Sequence, residues 1–177
     1  MKTLILVGSA DVNSHSLHLG QAIKVALEAL GQQAEVLNLV ESGLPLYDRQ
    51  IERDNAFDEV TRAFLEASMA ADAFVWVTPI YHNSYSGMLK NALDWHHSAK
   101  FPGRVVGLAS NGGDRSPQAV DHLMTVARSQ HLLALPTRVC TTESDYDDSL
   151  SIVNEGIIER INTFADELVT LSGKVGR

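Results

Sequence analysis

Cysteine is nearly absent from this chain. Cys140 stands alone among 177 residues, so no internal disulfide is available, and the apolar stretch around it predicts a buried thiol rather than a reactive one. Long hydrophobic runs are missing too, and no segment approaches the length that spans a bilayer. The N-terminal stretch from Met1 to Ser9 resembles a secretory signal only superficially, because its apolar run is short and leads into a glycine turn. The expected location is the cytoplasm. Positive charge is in deficit: 14 Lys and Arg against 22 Asp and Glu leave a net −8, which argues against a broad nucleic-acid footprint. Neither Gly-x-Gly-x-x-Gly nor a Gly-Lys-Ser/Thr phosphate loop occurs. Internal repeats and low-complexity segments are absent. No metal site is expected: His96 and His97 are successive in a helical pattern and point different ways, and no other ligand cluster supports them.

The chain that remains is 45% hydrophobic and 20% charged, ordinary for a globular protein. Its length predicts one domain over residues 1–177 with a full core. The organising stretch is 73–97. Ala73 to Val77 is a continuous apolar run of strand length, as a strand covered on both faces should be. Pro79 stops the ladder because it has no N–H to donate. Ser86 and Gly87 then give way to a helical stripe of Met88, Leu89, Ala92, Leu93 and Trp95. Between them, Thr78 to Tyr85 carries hydroxyls, an amide, an imidazole and two phenols, more chemistry than a structural turn needs.

Thr3 to Val7 reads as a first buried strand, followed by the polar loop Ala10 to Ser16. A helix follows with Leu19, Ile23, Ala26, Leu27 and Leu30 on one face and Gly31 as its stop. Ala34 to Val40 alternates more and suits a sheet edge. Glu41 to Asp54 reads as a loop, with Leu44, Leu46, Tyr47 and Ile51 unusually apolar for a solvated connection. Asp54 or Asn55 is expected to cap the next helix, which carries Phe57, Val60, Phe64 and Leu65. Arg104 to Ala109 is a fourth strand, ending in the loop Ser110-Asn111-Gly112-Gly113. Ser116 caps a helix with Pro117 in its first turn. Leu132 to Cys140 holds a fifth strand, read from Leu135 or Pro136 onward. The acidic run Glu143 to Asp148 reads as carboxylates favouring the start of the last helix, which presents Ile157, Ile158, Ile161, Ala165 and Leu168.

Five strands alternating with five helices predict an α/β fold, a doubly wound three-layer sandwich. The order 2-1-3-4-5 suits five strands. In that order strands one and three are neighbours whose chains leave in opposite directions, and the three polar loops meet beyond the strand ends, where open α/β sheets bind ligands. The first loop precedes a helix N-terminus, with Ser9, Asn13, Ser14 and Ser16 as added donors, and suits a phosphate. Ser14 or Ser16 serves equally as a plain helix cap. Asp11 is awkward there unless it points to water. The other loops suit a flat ring with polar edges. Pro79 and Tyr81 offer apolar surface, Asn83, Ser84 and backbone amides offer hydrogen bonds, and Asn111, Gly112 and Gly113 allow close backbone approach. Tyr81 and Tyr85 are open between ring contact and packing. His82 reads as a backbone donor more than as a catalyst, and Lys90 and Asp94 as a local helical pair.

At these residues the chain resembles the NADPH-dependent FMN reductase family of flavodoxin-like proteins. The carrying motifs are Gly8-Ser9 with Ser14 and Ser16, then Leu44-Pro45-Leu46-Tyr47, the long run from Thr78 to Trp95, and Ser110-Asn111-Gly112-Gly113. The Tyr81-His82 pair is similar to the azobenzene-reductase-like branch. The resemblance implies bound FMN and NADPH or NADH as hydride donor. It places the phosphate on Ser9, Ser14 and Ser16, the ribityl chain and ring edge on Pro79, Tyr81, His82, Asn83 and Ser84, and the ring beside Ser110, Asn111 and Gly112. It implies a homodimer or homotetramer in which the Leu46-Tyr47 loop sits near a neighbour's flavin. Many relatives carry arginine where this chain has Asp11, glutamate at Ile80 and asparagine at His82.

The expected function is therefore FMN-dependent transfer of hydride from NADPH or NADH to a small-molecule acceptor such as free flavin, a quinone or an azo compound. No side chain stands out as an obligatory acid or base, so no catalytic residue is named. Arg115 and Arg49 are candidates for the NADPH 2′-phosphate by position. The rival readings are a flavodoxin-like electron carrier and a binding protein that has lost its cofactor. The residues alone reach only a phosphate-bearing ring ligand on this sheet.

Overall fold

The computed structural model describes residues 1–96 and 101–175. One parallel sheet has the order β2-β1-β3-β4-β5, as expected, formed by β1 (Lys2–Val7), β2 (Gln33–Asn38), β3 (Ala73–Pro79), β4 (Val105–Asn111) and β5 (Leu133–Thr141). The helices are α1 (His15–Ala29), α2 (Arg49–Asp54), α3 (Glu59–Ala70), α4 (Gly87–Trp95), α5 (Gln118–Ser129) and α6 (Glu155–Val175). The two-residue period of the strands sorts the core into two layers. Leu4, Leu6, Phe74, Trp76, Val106 and Leu108 pack against α3, α4 and α5. Ile5, Val7, Val75, Val77, Ala109 and Val139 pack against α1 and α6. A central strand buried on both faces has no room for a polar position, which is why Ala73 to Val77 reads as an unbroken apolar run.

Several local expectations give way. The segment Glu41 to Asp54 is not all loop. Asp48 accepts from the amides of Gln50 and Ile51 and so starts α2 inside it. Asn55 closes that helix in the left-handed conformation, and the cap of α3 is Asp58, whose carboxylate accepts from the Thr61 amide at 2.7 Å. Leu30 belongs to no buried stripe; it is the C-cap of α1 and is exposed. Strand β5 starts at Leu133, two residues early. Pro136 is tolerated because the register with β4 shifts between Val106 and Leu108, so no ladder bond is asked of it. Ser110 and Asn111 belong to β4 rather than to the loop beyond it.

The acidic run before α6 does not crowd that helix's start. Glu143–Asp145 forms a 3-10 turn, and Asp145 is fully buried. His96 ends α4 as its C-cap; it is buried, shares a 2.8 Å hydrogen bond with Ser68 Oγ and stacks on Phe64. His97, the other half of that pair, lies outside the described residues.

Candidate functional site

The ladder brings the carboxyl ends of β1, β3 and β4 side by side. Val7 pairs with Val77, Thr78 with Ser110, and Pro79 with Asn111. The loops that leave these strands are stitched together. The Gly8 amide donates to the Val77 carbonyl at 2.9 Å, and the Ser86 hydroxyl donates to the Gly8 carbonyl. The same Ser86 oxygen caps α4 by accepting from the Leu89 amide at 3.0 Å. Thr78 Oγ1 accepts from the Ser86 amide at 2.9 Å. A Cβ at residue 8 would fall 2.5 Å from Leu89 Cβ, so only glycine admits α4 this close to the first loop.

The first loop leads into α1. Ser14 is its N-cap and accepts from the Leu17 amide at 3.1 Å, which is the plain cap role. Helix geometry leaves the preceding first-turn amides without intrahelical acceptors. Among the described residues no group accepts from the amides of His15 and Ser16. Ser9 in the loop and Ser16 in the first turn of α1 are buried, and Ser9 Oγ accepts from the Asp11 amide at 3.1 Å. Asp11 is exposed and holds the Asn13 amide at 3.0 Å, while Asn13 Oδ1 meets His18 Nε2 at 3.0 Å. Asp11 thus serves the loop's own backbone.

The second loop turns back on itself. The amide of Tyr81 donates to the Ser84 carbonyl at 2.9 Å, and the amide of Ser84 to the Tyr81 carbonyl at 3.0 Å. His82 and Asn83 between them have φ of 49° and 61°. Two consecutive left-handed residues make a type I′ turn, whose usual occupants are Asn and Gly. Asparagine suits such a place, whereas histidine in it concentrates strain at the site. Tyr81 is 43% exposed beside it. Tyr85 is half-buried and packs on the core. The Ser84 hydroxyl shares a 3.0 Å hydrogen bond with Nδ1 of His122 on α5, a partner no local sequence signal revealed.

The third loop begins inside β4. Ser110 is fully buried and offers no side-chain surface. Asn111 Nδ2 donates to Thr141 Oγ1 at 3.0 Å, so this amide faces β5. Gly112 has a φ of 116° and donates its amide to the Thr141 carbonyl at 2.9 Å. Thr141 Oγ1 also meets the Tyr146 hydroxyl at 2.9 Å, which in turn donates to the His15 carbonyl at 3.2 Å. The Tyr146 ring packs edge-on against His15 at 4.6 Å. Tyr146 therefore ties the ring-side loop to the start of α1. Burial pushes its phenol up to about 12, with the nearby Asp145 charge adding to the rise and the Thr141 and Asn111 hydrogen bonds opposing it.

The remaining sequence candidates fall outside this cradle. Arg115 is ion-paired with Asp145, and Arg49 lies in the exposed first turn of α2. Lys90 and Asp94 pair at 2.5 Å along α4. The loop Leu44 to Tyr47 is pinned to α4: Asn91 and Trp95 both donate to the Pro45 carbonyl, and Tyr47 packs against Trp95. Only Leu46 is left out, at 83% exposure.

The donor set fits an FMN-like ligand. Two first-turn amides suit an anion, and a strained turn and a left-handed glycine border the space above the strand ends. Likeness to known proteins points the same way. The family described as NADPH-dependent FMN reductase matches residues 1–146. An FMN-dependent NADPH-azoreductase of Staphylococcus aureus is 35% identical over 178 residues, covering 96% of this chain and 94% of the relative. Among solved structures, FerB, a flavoenzyme NAD(P)H:(acceptor) oxidoreductase from Paracoccus denitrificans, superimposes with a TM-score of 0.81 at 21% identity over 98% of both chains. An oxidoreductase from Corynebacterium diphtheriae gives 0.79 at 20% identity over 98% of this chain and 97% of the other. At such identities the two structures speak to the fold alone. The family match and the azoreductase relative together place this chain in the NADPH-dependent FMN reductase family.

Proposed function

We propose that this chain is an FMN-dependent oxidoreductase that takes hydride from NADPH or NADH and reduces a small-molecule acceptor such as free flavin, a quinone or an azo compound. The observation that carries this reading is the meeting of an open α1 N-terminus, the left-handed turn at His82 and Asn83, and Gly112 at one end of the sheet. Bound FMN would supply the hydride-accepting ring, and that chemistry belongs to the cofactor.

The chain's own residues bind and orient. The amides of His15 and Ser16, with Ser9, Ser14 and the α1 dipole, receive the phosphate with no arginine in the first loop itself. Pro79 and Tyr81 give apolar surface. The exposed backbone of His82 and Asn83 offers donors toward a ring edge, and preorganised amides of this kind stabilise developing negative charge. Ser84 is steadied from α5 by His122. Ser110 and Asn111 border the ring by their backbone, and Gly112 lets the chain come close. The catalytic residue is left unassigned, because no side chain at this end is placed as an obligatory acid or base.

Residues 1–177 form one FMN-binding domain in this reading. The exposed Leu46 belongs to a subunit contact, giving a homodimer or homotetramer. Among the described residues no helix is long and apolar enough to cross a membrane, and the cytoplasm is the proposed location.

The test is an anaerobic titration of FMN-loaded protein with NADPH and then NADH, followed by flavin absorbance. Bleaching that a quinone or azo dye reverses is the expected result. Flavin that binds but is reduced by neither nucleotide would make the chain an electron carrier fed by a partner. Failure to bind FMN would remove the enzyme reading.

A further inference from the structure

A groove of about 380 Å³ opens at the outer edge of β5, beside the loop that follows β4. Its lining brings together Arg115 from the loop after β4, Arg138 from β5 and Arg160 from α6, with Pro117, Cys140 and Asn154 between them. Three guanidiniums in one groove are notable in a chain of net charge −8. They differ in how far their charge is already answered. Arg115 is held by the buried carboxylate of Asp145 at 2.5 Å. Arg138 reaches Asp121 at 3.0 Å, but both side chains are about half exposed, and such surface pairs are weak. Arg160 donates its Nε to the Arg138 carbonyl at 2.6 Å, and among the described residues it has no carboxylate partner. That single bond fixes the guanidinium beside Arg138 and leaves its terminal nitrogens to fork onto an anion.

The groove adjoins the site. Cys140 pairs with Ser110 and Thr141 with Asn111, so it begins one strand spacing, about 4.8 Å, from β4. Arg115 lies on the same loop as Gly112. A dinucleotide whose reactive end lies over the strand ends has its far end free to reach this edge.

We propose that the groove is a phosphate subsite, held chiefly by Arg138 and Arg160, that takes the 2′-phosphate of NADPH. The assignment to the dinucleotide rests on the reading of this chain as an NAD(P)H oxidoreductase. The shared chemistry is a phosphate dianion between two guanidiniums, and inorganic phosphate is the other source of it.

The experiment compares wild type, Arg160→Gln and Asp121→Asn, all loaded with FMN. Calorimetry follows the binding of adenosine 2′,5′-bisphosphate, AMP and inorganic phosphate, and steady-state kinetics give kcat/KM for NADPH and NADH. Arg160 is exposed on α6, so its replacement leaves the fold intact. Arg160→Gln is expected to weaken the bisphosphate and raise KM for NADPH about tenfold, the worth of one charge-assisted bond, with AMP and NADH unchanged. Asp121→Asn, which releases Arg138, is expected to move both in the opposite direction by about threefold. Equal loss for NADPH and NADH, or no change in either variant, overturns the proposal. So does a site that loses inorganic phosphate in Arg160→Gln while the NADPH to NADH ratio stays put, since the groove would then serve free phosphate. Should neither nucleotide reduce the flavin, the functional reading fails by itself, and the bisphosphate titration still decides whether the groove binds phosphate.

Discussion

The guanidinium of Arg115 lies 2.5 Å from the carboxylate of Asp145, and that carboxylate is fully buried. Asp145 also accepts from Asn154 Nδ2 at 2.7 Å and from the Thr142 amide at 2.8 Å. The pair anchors a loop in which Asp114 and Arg115 both hold positive φ, next to Gly112 and Gly113. Removing Asp145 therefore strands a cation and releases a strained segment together. Asp145→Ala is expected to cost about 2–4 kcal/mol, somewhat less than the roughly 3–5 kcal/mol for breaking a fully buried pair because Arg115 reaches solvent. For a chain this size that lowers Tm by roughly 4–16 °C, measurable by calorimetry. A change under about 1 °C would mean the pair is not structural.

Tyr146 gives a pH prediction with a definite sign. Its phenol ionises near 12 when folded, against 10.0 ordinarily. A raised folded value means its stability contribution is complete below pH 10 and drains away between pH 10 and 12. The two-unit difference corresponds to about 2–3 kcal/mol. Tyr146→Phe has no proton to lose, so the alkaline unfolding midpoint is expected to rise relative to wild type. At neutral pH the same variant is expected to weaken FMN binding by about fivefold, since the Thr141 and His15 links are cut. An unchanged alkaline midpoint would count against the buried phenol.

His82 separates a backbone role from an imidazole role. Its φ of 49° is natural to glycine. His82→Gly is expected to keep Tm and to leave flavin reduction by NADPH within about threefold, because the turn and its amides survive. Asn83→Val, placing a branched side chain in the same left-handed region, is expected to cost about 1–3 kcal/mol. A collapse of flavin reduction by His82→Gly at full FMN occupancy would give the imidazole a chemical role.

Asp11 combines a local bond with an unhelpful charge. Its carboxylate holds the Asn13 amide at 3.0 Å, and asparagine can keep that bond. Asp11→Asn is expected to tighten FMN about threefold by removing repulsion at an exposed site, whereas Asp11→Ala gains less because it also loosens the loop. Fluorescence titration of the apoprotein with FMN reads both. Equal affinity in wild type and Asp11→Asn would show that the charge faces water.

Arg115 illustrates where position misleads. A free cation on a ligand-side loop is a natural partner for a phosphate. Asp145 lies 30 residues further along, and no local pattern pairs the two. The acidic run around Asp145 reads as a helix-start signal because carboxylates do favour that place. Similarly, the apolar Leu44 to Ile51 segment reads as exposed because nothing nearby in sequence covers it. Tyr47 is in fact covered by Trp95 of α4. Helix α2 escapes notice because Arg-Gln-Ile-Glu-Arg-Asp holds one apolar residue, too few for a periodic signal, and depends on the Asp48 cap.

The sequence by itself determined the alternation of strand and helix, the sheet order, the end of the sheet that carries the polar loops, and the family. Those features rest on hydrophobic period, chain length and contiguous motifs, all of which are local. The tertiary structure alone decided which groups face each other across the sheet: Tyr146 with Thr141 and His15, Ser84 with His122, Arg115 with Asp145, and the three arginines along β5. Apart from Tyr146 with Thr141, such pairings join residues 22 to 131 positions apart. A short-range pattern carries no record of them, because a hydrogen bond is set by where the packed elements put its donor and acceptor.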